Sequence, residues 1–444
     1  MKHIVVFGAG MVAGAHVEYL LNVPDFEVTV ASRTLAKAQA LVGDHPRGHA
    51  VQVNSDDEAA LEALIADADL VVSLLPYIYH PTVARLAVKH GTHMVTTSYV
   101  KEAMAHLDAA ARAAGVILLN EIGVDPGIDH MTAMRIIHSV EAKGGRITRF
   151  VSWCGGLPAP EANDNPFGYK FSWSPRGVLL AGKNPAQYLW DGEDVVIPGG
   201  ELFDHHWTVP VQVEGQEIGF DGYPNRDSLP YMQTYGIRDP KTFFRGTLRY
   251  PGWCQTLRKM ADLGLLEETR LAGLDSATFA DFTAQLVGSD GHNLRASVAA
   301  YLDLPLDSPV LDNLDWLGLF SRDLLPACPA TPIDILTARM LQKMQYAPGE
   351  RDMLVLQHQF EAEYPDRRER IVSTMVDFGQ PHGYTSMART VGLPAAIAVK
   401  LILHGDITLT GVQVPVVPEL YNPVLDELEA LGIHFEERVT DSSR

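Results

Sequence analysis

The chain has 444 residues, of which 46% are hydrophobic and 20% charged. This length exceeds one ordinary core and predicts roughly three domains, and the composition is that of a folded globular protein. Lys and Arg total 35 against 55 Asp and Glu, a formal net charge of -20 at pH 7 that repels phosphate backbones and anionic membranes. We therefore expect neither nucleic acid nor a membrane as a partner.

Six short apolar runs alternate with helical patterns in the first part of the chain. They are residues 3–7, 27–31, 49–53, 69–74, 93–97 and 116–119. The runs are nearly continuous in Val, Leu and Ile rather than alternating, which is typical of strands covered on both faces. The pattern predicts a doubly wound parallel sheet of the Rossmann type.

The segments that follow predict a second, mixed α/β domain. A helix is expected over 125–140, with Asp125 as N-cap and Pro126 in the first turn. Residues 146–153 alternate like a strand, and 353–363 and 370–378 predict a hairpin about the turn 364–367. We expect these distant strands to share one sheet.

Helical patterns dominate the rest of the chain. They cover residues 261–266, 278–287, 333–344, 386–404 and 422–431, and the last of these is expected to return to the first domain. The resulting division is a Rossmann domain over 1–125 completed by 405–444, a discontinuous α/β domain over 126–250 and 346–404, and a helical domain over 251–345.

The cysteines and histidines indicate which disulfides and metal sites the chain could form. Cys154, Cys254 and Cys328 are widely spaced, which fits neither a disulfide framework nor a zinc site and favours a reducing cytoplasm. The His205-His206 pair lacks metal-ligand spacing, so we predict no metal.

No apolar run reaches the roughly 18 residues of a membrane span. The apolar start resembles a signal peptide, but a strand before a glycine-rich turn explains it better.

Gly8-Ala9-Gly10-Met11-Val12-Ala13 follows the first predicted strand and opens a helix. Gly8 and Gly10 let the backbone turn and approach a pyrophosphate, and a small third residue serves helix packing. We predict that this segment, with Met11 and Val12, binds a dinucleotide. A tight strand-to-helix turn without a ligand is the alternative.

The second strand ends in Ser32-Arg33-Thr34, where an NAD enzyme presents Asp or Glu to the ribose hydroxyls. A guanidinium between two hydroxyls suits the 2'-phosphate of NADP instead. The pattern therefore predicts NADP. As the alternative, Ser32 or Thr34 caps the next helix while Arg33 is solvated.

Three further polar positions are ambiguous from the residues alone. The hydroxyl cluster over 96–100 ends the fifth strand, where ligands of open α/β sheets bind, but it could equally start a helix. Asp125 is most simply a helix cap, and Cys154 a small buried hydrophobe.

Three segments in the middle of the chain carry a resemblance to a known family. They are Cys154-Gly155-Gly156-Leu157-Pro158-Ala159-Pro160, Phe171-Ser172-Trp173-Ser174-Pro175-Arg176-Gly177-Val178-Leu179-Leu180-Ala181 and Phe244-Arg245-Gly246-Thr247-Leu248-Arg249-Tyr250. With residues 8–13, 32–34, 73–77, 96–100 and 120–130, they resemble the saccharopine reductase family, the glutamate-forming saccharopine dehydrogenases of lysine metabolism. The resemblance covers nearly the whole chain.

The resemblance implies an NADP-binding first domain, a substrate held between domains, and a homodimer through the second domain. The family reaction condenses L-glutamate with 2-aminoadipate 6-semialdehyde and reduces the imine to saccharopine. By resemblance, the residues expected for proton transfer are Asp125, Tyr99 and Cys154. Those expected to bind substrate are Ser98, Tyr99, Asp125, Arg226, Arg245, Gly246 and Thr247. Leu75 and Ser174 are added to the cofactor-binding residues.

Two rival functions remain open. A related imine reductase, such as carboxynorspermidine dehydrogenase, acts on a substrate with fewer carboxylates and needs fewer arginines in its pocket. A non-catalytic NADP-binding protein would bind the cofactor without turnover. The polar set of Ser98, Tyr99, Asp125 and Cys154 argues against the second rival, because buried polar groups are costly to keep without a use.

Overall fold

The computed structural model describes residues 1–274, 276–326 and 331–442, so Cys328 lies outside the described residues. The strands are β1 Lys2–Phe7, β2 Phe26–Ser32, β3 Gly48–Gln52, β4 Leu70–Ser73, β5 His93–Thr96, β6 Ile117–Leu119, β7 Arg146–Pro158, β8 Ala186–Trp190, β9 Glu193–Ile197, β10 Trp207–Val213, β11 Gln216–Pro224, β12 Thr242–Arg249, β13 Asp352–Glu363, β14 Arg368–Phe378, β15 Gly411–Gln413 and β16 Glu436–Asp441.

The helices are α1 Ala13–Asn22, α2 Leu35–Val42, α3 Glu58–Ala66, α4 His80–His90, α5 Glu102–Ala105, α6 Asp108–Ala114, α7 Ile128–Ala142, α8 Pro175–Leu180, α9 Pro230–Thr234, α10 Trp253–Asp262, α11 Phe279–Val287, α12 Leu294–Tyr301, α13 Pro309–Leu317, α14 Pro332–Lys343, α15 Ser386–His404 and α16 Pro418–Ala430. Short 3-10 turns connect several of these elements.

The chain forms two compact units. The first comprises Met1–Ile147, the short insert Thr234–Ile237, and the chain from Glu361 onward. The second comprises Thr148–Gln233 and the described residues of Arg238–Phe360. The helical segment predicted as a separate domain lies within the second unit, and the three-domain boundaries stay a prediction.

The first unit contains a seven-stranded sheet in the order β15-β6-β5-β4-β1-β2-β3. Every pairing in it is parallel. Read from β3 to β6, this is the strand order of dinucleotide-binding folds. The six predicted strands are confirmed to within one residue at each end, and the predicted Rossmann-type class is confirmed with them.

The central strand shows why the apolar runs are continuous. Ile4, Val5, Val6 and Phe7 all have 0% exposure, so both faces of β1 are covered. A strand that buries both faces has no solvent side on which polar residues could alternate. The core of the first unit therefore lies on both sides of this sheet.

The start of α7 differs from the prediction. The helix begins at Ile128 with Gly127 as N-cap, so the assignment of Asp125 as N-cap is wrong. Asp129 Oδ1 accepts the Gly127 N–H at 2.6 Å, which satisfies a donor at the helix start. A tight loop, closed by the Gly123 N–H to the Pro126 carbonyl, places Asp125 before the helix.

Helix α15 has the predicted bounds and forms part of the core of the first unit. By length and composition it could span a membrane, but 78% of its most apolar window is buried inside the protein, as in the core helix of a soluble fold. His16 Nδ1 on α1 bonds the Gly392 carbonyl at 3.0 Å. This contact joins α1 to α15.

Helix α16 returns to the first part of the chain, as predicted. The Tyr19 hydroxyl on α1 donates to Glu427. On α7, His138 Nδ1 lies 2.7 Å from the Tyr421 hydroxyl, and Arg135 pairs with Asp426 at 2.6 Å. These polar contacts attach α16 to two helices of the first unit.

The second unit contains a mixed sheet. Its strand order includes β10-β11-β12-β7-β13, with β8 and β9 attached beside β12. β12 pairs parallel to β7, whereas β10, β11 and β12 are antiparallel neighbours. The prediction that the strands at 146–153 and 353–363 share a sheet is confirmed. The predicted hairpin turn is confirmed as well, because the Tyr364 N–H donates to the Arg367 carbonyl.

The helical segment follows the predicted pattern with one error. Helices α11 and α14 match the predictions at 278–287 and 333–344 to within one residue. The helix predicted at 261–266 is wrong, because α10 ends at Asp262. Gly264, with a φ of +78°, breaks the helix at that point.

Candidate active site

The loop between β1 and α1 has the backbone that a pyrophosphate requires. Gly8 has a φ of +111°, and a Cβ there would lie 2.9 Å from the Leu74 carbonyl oxygen. A Cβ on Gly10 would meet nothing within 4 Å, so this side of the loop is open. Met11 is 55% exposed and Val12 half-buried, and α1 begins at the buried Ala13. The loop and the first turn of α1 can therefore receive a phosphate group.

The segment after β2 leaves a cation available for a second phosphate. Arg33 is exposed, and within the described residues its side chain forms no salt bridge. Thr34 is the N-cap of α2 without a side-chain capping bond, and the Ser32 hydroxyl accepts the Thr34 N–H at 3.3 Å. Neither hydroxyl caps α2 through its side chain, which favours the NADP interpretation of this segment. Leu75, after β4, is half-buried against the apolar core.

A buried histidine joins the ends of two neighbouring strands. His80 Nδ1 lies 2.8 Å from the hydroxyl of Ser73, at the end of β4. His80 Nε2 lies 2.8 Å from the hydroxyl of Ser98, just after β5. Burial lowers the pKa of His80 to about 4, so the ring is neutral at physiological pH. The sequence interpretation missed His80, because nothing in its spacing marks it.

Tyr99 and Asp125 form a hydrogen-bonded pair in the first unit. The Tyr99 hydroxyl donates to Asp125 Oδ1 at 2.7 Å, and both side chains are half-buried. They come from the loop after β5 and the loop before α7, 26 residues apart. A phenol bonded to a carboxylate can take up or deliver one proton. The structure thus brings together two of the three predicted proton-transfer residues.

A buried hydrogen-bond network contacts the loop that carries Tyr99. Glu121 accepts the Val100 N–H at 2.8 Å and lies 2.9 Å from His130 Nε2. His130 Nδ1 lies 2.5 Å from the Tyr235 hydroxyl, which belongs to the short insert of the first unit. Glu121 and His130 are 3% and 1% exposed, so His130 faces the interior. Glu121 and Tyr235 were missed because their partners are distant in sequence.

In the second unit, the predicted Cys154 and Thr247 are register neighbours on the parallel strands β7 and β12. Cys154 is buried and Thr247 half-buried. Buried Arg249 interacts electrostatically with Cys154. Gly246 packs on Trp153, because a Cβ there would lie 2.2 Å from the indole ring. The small residue at 246 is required by this packing.

The predicted carboxylate binders have different environments. Arg245 is 4% exposed, and its guanidinium lies 4.3 Å from the Tyr231 ring centroid. The backbone N–H of Arg245 donates to the Ser228 hydroxyl. Arg226 is exposed with a φ of +59°. The Asn225 N–H donates to the Arg245 carbonyl at 2.9 Å, so the two arginine-bearing segments are adjacent.

Two remaining predictions concern Ser174 and metals. Ser174 is the N-cap of α8, where its hydroxyl accepts the Gly177 N–H at 3.3 Å. Its cofactor role stays a prediction. Over the ranges that the structure describes, no group of three or more His, Cys, Asp or Glu could hold a metal ion. His206 Nδ1 lies 2.8 Å from the Phe203 carbonyl instead.

The parallel sheet, the glycine loop and the free arginine after β2 define a Rossmann-type oxidoreductase that uses NADP. Residues 4–119 match the family model of the saccharopine dehydrogenase NADP binding domain, and residues 123–433 match that of the saccharopine dehydrogenase C-terminal domain. The chain belongs to the saccharopine dehydrogenase family. This confirms the family resemblance, the enzyme class and the NADP prediction.

Curated relatives extend the match over the full length. The chain is 42% identical to saccharopine dehydrogenase [NADP(+), L-glutamate-forming] of Schizosaccharomyces pombe, over 99% of this chain and 100% of that protein. It is 40% identical to the Saccharomyces cerevisiae protein of the same name, over 98% and 99%. The mouse mitochondrial alpha-aminoadipic semialdehyde synthase is 36% identical, and the match spans 48% of that longer protein.

A solved structure supports the fold. The chain is similar to the apo histidine-tagged saccharopine dehydrogenase (L-Glu forming) from Saccharomyces cerevisiae, with a TM-score of 0.89 and 38% identity. The match covers 99% of this chain and 100% of that chain.

Proposed function

We propose that this chain interconverts saccharopine with L-glutamate and 2-aminoadipate 6-semialdehyde, using NADP, in lysine metabolism. The full-length identity of 42% to a protein named for this reaction carries the proposal. The hydrogen-bonded Tyr99–Asp125 pair supports it, because imine chemistry needs a proton donor and acceptor beside the reacting nitrogen. An enzyme that had lost its chemistry would have no use for this half-buried pair.

The described residues fit NADP. The open face at Gly10 and the N-terminal turn of α1 would hold the pyrophosphate, and Arg33 with the two adjacent hydroxyls would hold the 2'-phosphate. When bound, the reduced cofactor supplies two electrons and one of the two protons that convert a C=N bond to CH–NH. The positive charge of Arg33 at the 2'-phosphate and the N-terminal turn of α1 at the pyrophosphate would offset the repulsion expected from a protein of charge -20.

Side chains must supply the protons that the cofactor does not. Condensation of the glutamate amine with the aldehyde gives a carbinolamine, which loses its hydroxyl as water once that oxygen is protonated. The reduced nitrogen then needs its second proton. We assign both transfers to the hydrogen-bonded Tyr99–Asp125 pair, which takes up one proton from solvent before each step and delivers it first to the carbinolamine oxygen and then to the reduced nitrogen. Cys154 is the third candidate for this work.

Substrate binding depends on cations and hydroxyls. Saccharopine carries three carboxylates, so an acidic protein must gather positive side chains where it binds. Arg245 is suited to this, because its buried guanidinium is held against an aromatic ring and keeps a fixed orientation. We propose Arg245 and Arg226 as carboxylate binders and Ser98 and Thr247 as hydroxyl partners. Gly246, which is also a predicted substrate-binding residue, stands between Arg245 and Thr247 on β12.

Product identification tests the assignment. The purified protein is incubated with saccharopine and NADP, and the products are identified by mass spectrometry. We expect L-glutamate and 2-aminoadipate 6-semialdehyde in equal amounts, each equal to the NADPH formed. Carboxynorspermidine serves as the competing substrate. Its oxidation in preference to saccharopine would move the assignment to another imine reductase, and NADP binding without any product would indicate a non-catalytic protein.

We also propose a homodimer located in the cytoplasm. Family resemblance supports the dimer, and the wide spacing of Cys154, Cys254 and Cys328, which fits no disulfide framework, supports a reducing compartment. Light scattering on the purified protein should give twice the 48.6 kDa chain mass. A mass of one chain would exclude the dimer.

A further inference from the structure

His80 occupies a position that the catalytic residues do not explain. It is the first residue of α4, is 4% exposed, and lies between the hydroxyls of Ser73 and Ser98. A third hydroxyl, that of Thr96, lies 3.4 Å from His80 Nε2. Each ring nitrogen therefore faces a serine at the carboxyl end of a strand, where ligands of this fold bind.

The surrounding hydrogen bonds determine which ring nitrogen carries the proton. The Thr96 hydroxyl donates to the Ser73 carbonyl at 2.9 Å, so its proton is already used. Its oxygen can therefore only accept from the ring. His80 Nε2 must carry a proton to face that oxygen favourably.

Burial fixes the rest of the arrangement. A buried neutral imidazole has one N–H, and here it is on Nε2, so Nδ1 is an acceptor. Nδ1 accepts the proton of the Ser73 hydroxyl, and Nε2–H donates to the Ser98 hydroxyl oxygen. The Ser98 proton consequently points away from the ring. Within the part of the chain that the structure describes, His80 and no other side chain bonds the Ser98 hydroxyl.

We propose that His80 is a positioning residue that presents Ser98 as a hydrogen-bond donor to a substrate carboxylate. The inference rests on the proposed substrate-binding role of Ser98. A free serine hydroxyl can rotate and pair with either a donor or an acceptor. With one of its two lone pairs engaged by His80 and its proton directed away from the ring, Ser98 is oriented to donate, which favours an anionic acceptor over an amine. This hydrogen-bonded chain of Ser73, His80 and Ser98, called the relay below, thereby contributes to selection of a carboxylate-rich substrate.

Four variants test the relay by steady-state kinetics of saccharopine oxidation. Ser98→Ala and His80→Leu should each raise the KM for saccharopine about tenfold, the size of one hydrogen bond to a charged group. The KM for NADP and the kcat should stay within about twofold. The double variant should be no worse than Ser98→Ala alone, because His80 acts through Ser98. His80→Gln, whose amide N–H can replace Nε2–H, should recover most of the affinity.

His90→Leu is the matched control. It makes the same substitution on the same helix, where the side chain pairs with Glu62 away from the relay. It should leave every kinetic constant unchanged. If the effects of His80→Leu and Ser98→Ala multiply in the double variant, or if the KM for NADP rises in parallel, His80 acts through packing and the proposal is wrong.

The protonation state can be measured without turnover. Nitrogen-15 NMR of the histidine-labelled protein, with His80→Gln for assignment, should show the Nε2–H form. An Nδ1–H form would overturn the proposal whatever the substrate is. If the unmodified protein does not oxidise saccharopine while NMR shows Nε2–H, the proposed function fails and the orientation of Ser98 as a donor stands.

Discussion

At the scale of single residues, we propose that the hydrogen-bonded Tyr99–Asp125 pair transfers the protons of the reaction. Replacing Asp125 with Asn keeps the shape but removes the proton acceptor. We expect kcat/KM for saccharopine to fall about 100-fold, since a positioned acid–base group contributes on the order of 100- to 10,000-fold. NADPH affinity, measured by fluorescence titration, should be unchanged.

Asp426→Asn is the control for this prediction. It makes the same change at an exposed carboxylate on α16 and should leave kcat/KM unaffected. Full activity of the Asp125→Asn protein would remove Asp125 from the mechanism and leave Tyr99 and Cys154 as the remaining candidates.

We propose that the choice between NADP and NAD depends on Arg33. Arg33→Ala should raise the KM for NADP at least tenfold, because a charge-assisted bond to the 2'-phosphate is lost. The KM for NAD, which lacks this phosphate, should change little. Arg85→Ala, at an exposed arginine of α4, is the control. An equal rise in the KM for NADP and in the KM for NAD would mean that Arg33 contacts a part that both cofactors share and not the 2'-phosphate.

Sequence alone gave the residues whose role follows from a local pattern. Gly8, Gly10 and Arg33 were predicted because each stands at a fixed distance from a strand end. Glu121 and His80 were not, because their partners are brought close by the sheet. No local rule links Glu121 to a tyrosine 114 residues later, and the two are connected only in the folded chain, where His130 bonds both of them.

At the scale of elements, apolar periodicity predicted the strands and the long helices. It succeeded for β1, β2 and β4 to β6, which are largely buried, and also for the partly exposed edge strand β3. It succeeded for α15 because the helix has a clear start and a C-terminal Gly405. It failed at the start of α7. An aspartate before proline looks like a cap, but the tight loop from Gly123 to Gly127 moves the helix start by two residues.

That loop supplies a stability prediction. Gly127 has a φ of +147°, and a Cβ there would lie 2.1 Å from the Gly123 carbonyl oxygen. Gly127→Ala should destabilise the protein by more than about 3 kcal/mol, because backbone would have to move. Gly144→Ala, at a φ of +75° with open space around it, should cost only about 1 kcal/mol.

Urea denaturation of both variants measures the difference. The loop also carries Asp125, so activity should fall with Gly127→Ala and persist with Gly144→Ala. Equal midpoints for the two variants would mean that the loop relaxes without cost.

At the scale of the whole molecule, buried histidines make stability depend on pH. Burial lowers the pKa of both His16 and His80 to about 4, below the value of 6.5 for an exposed histidine. The unfolded chain therefore binds protons first as the pH falls. Stability is full above pH 6.5 and declines toward pH 4, by about 2 kcal/mol per histidine at pH 5.

His16→Asn isolates this effect. The amide can still donate to the Gly392 carbonyl, but it does not titrate. Denaturation at pH 7 and pH 5 should show a smaller loss for the variant than for the unmodified protein. Identical losses would contradict the assignment of the pH dependence to His16.

Composition predicted less about the whole molecule than the local patterns did. Length predicts three domains, which stays a prediction, and it does not indicate the two compact units, each assembled from distant segments. Tyr235 illustrates the difficulty. It belongs to the first unit although the chain on both sides belongs to the second, and no feature of its local sequence indicates this.

The central claim is that this chain oxidises saccharopine with NADP. The most direct test is the rise in absorbance at 340 nm when purified protein is mixed with saccharopine and either NADP or NAD at equal concentration. We expect turnover with NADP clearly preferred. Absence of turnover with both cofactors, from protein shown to bind NADPH, would contradict it.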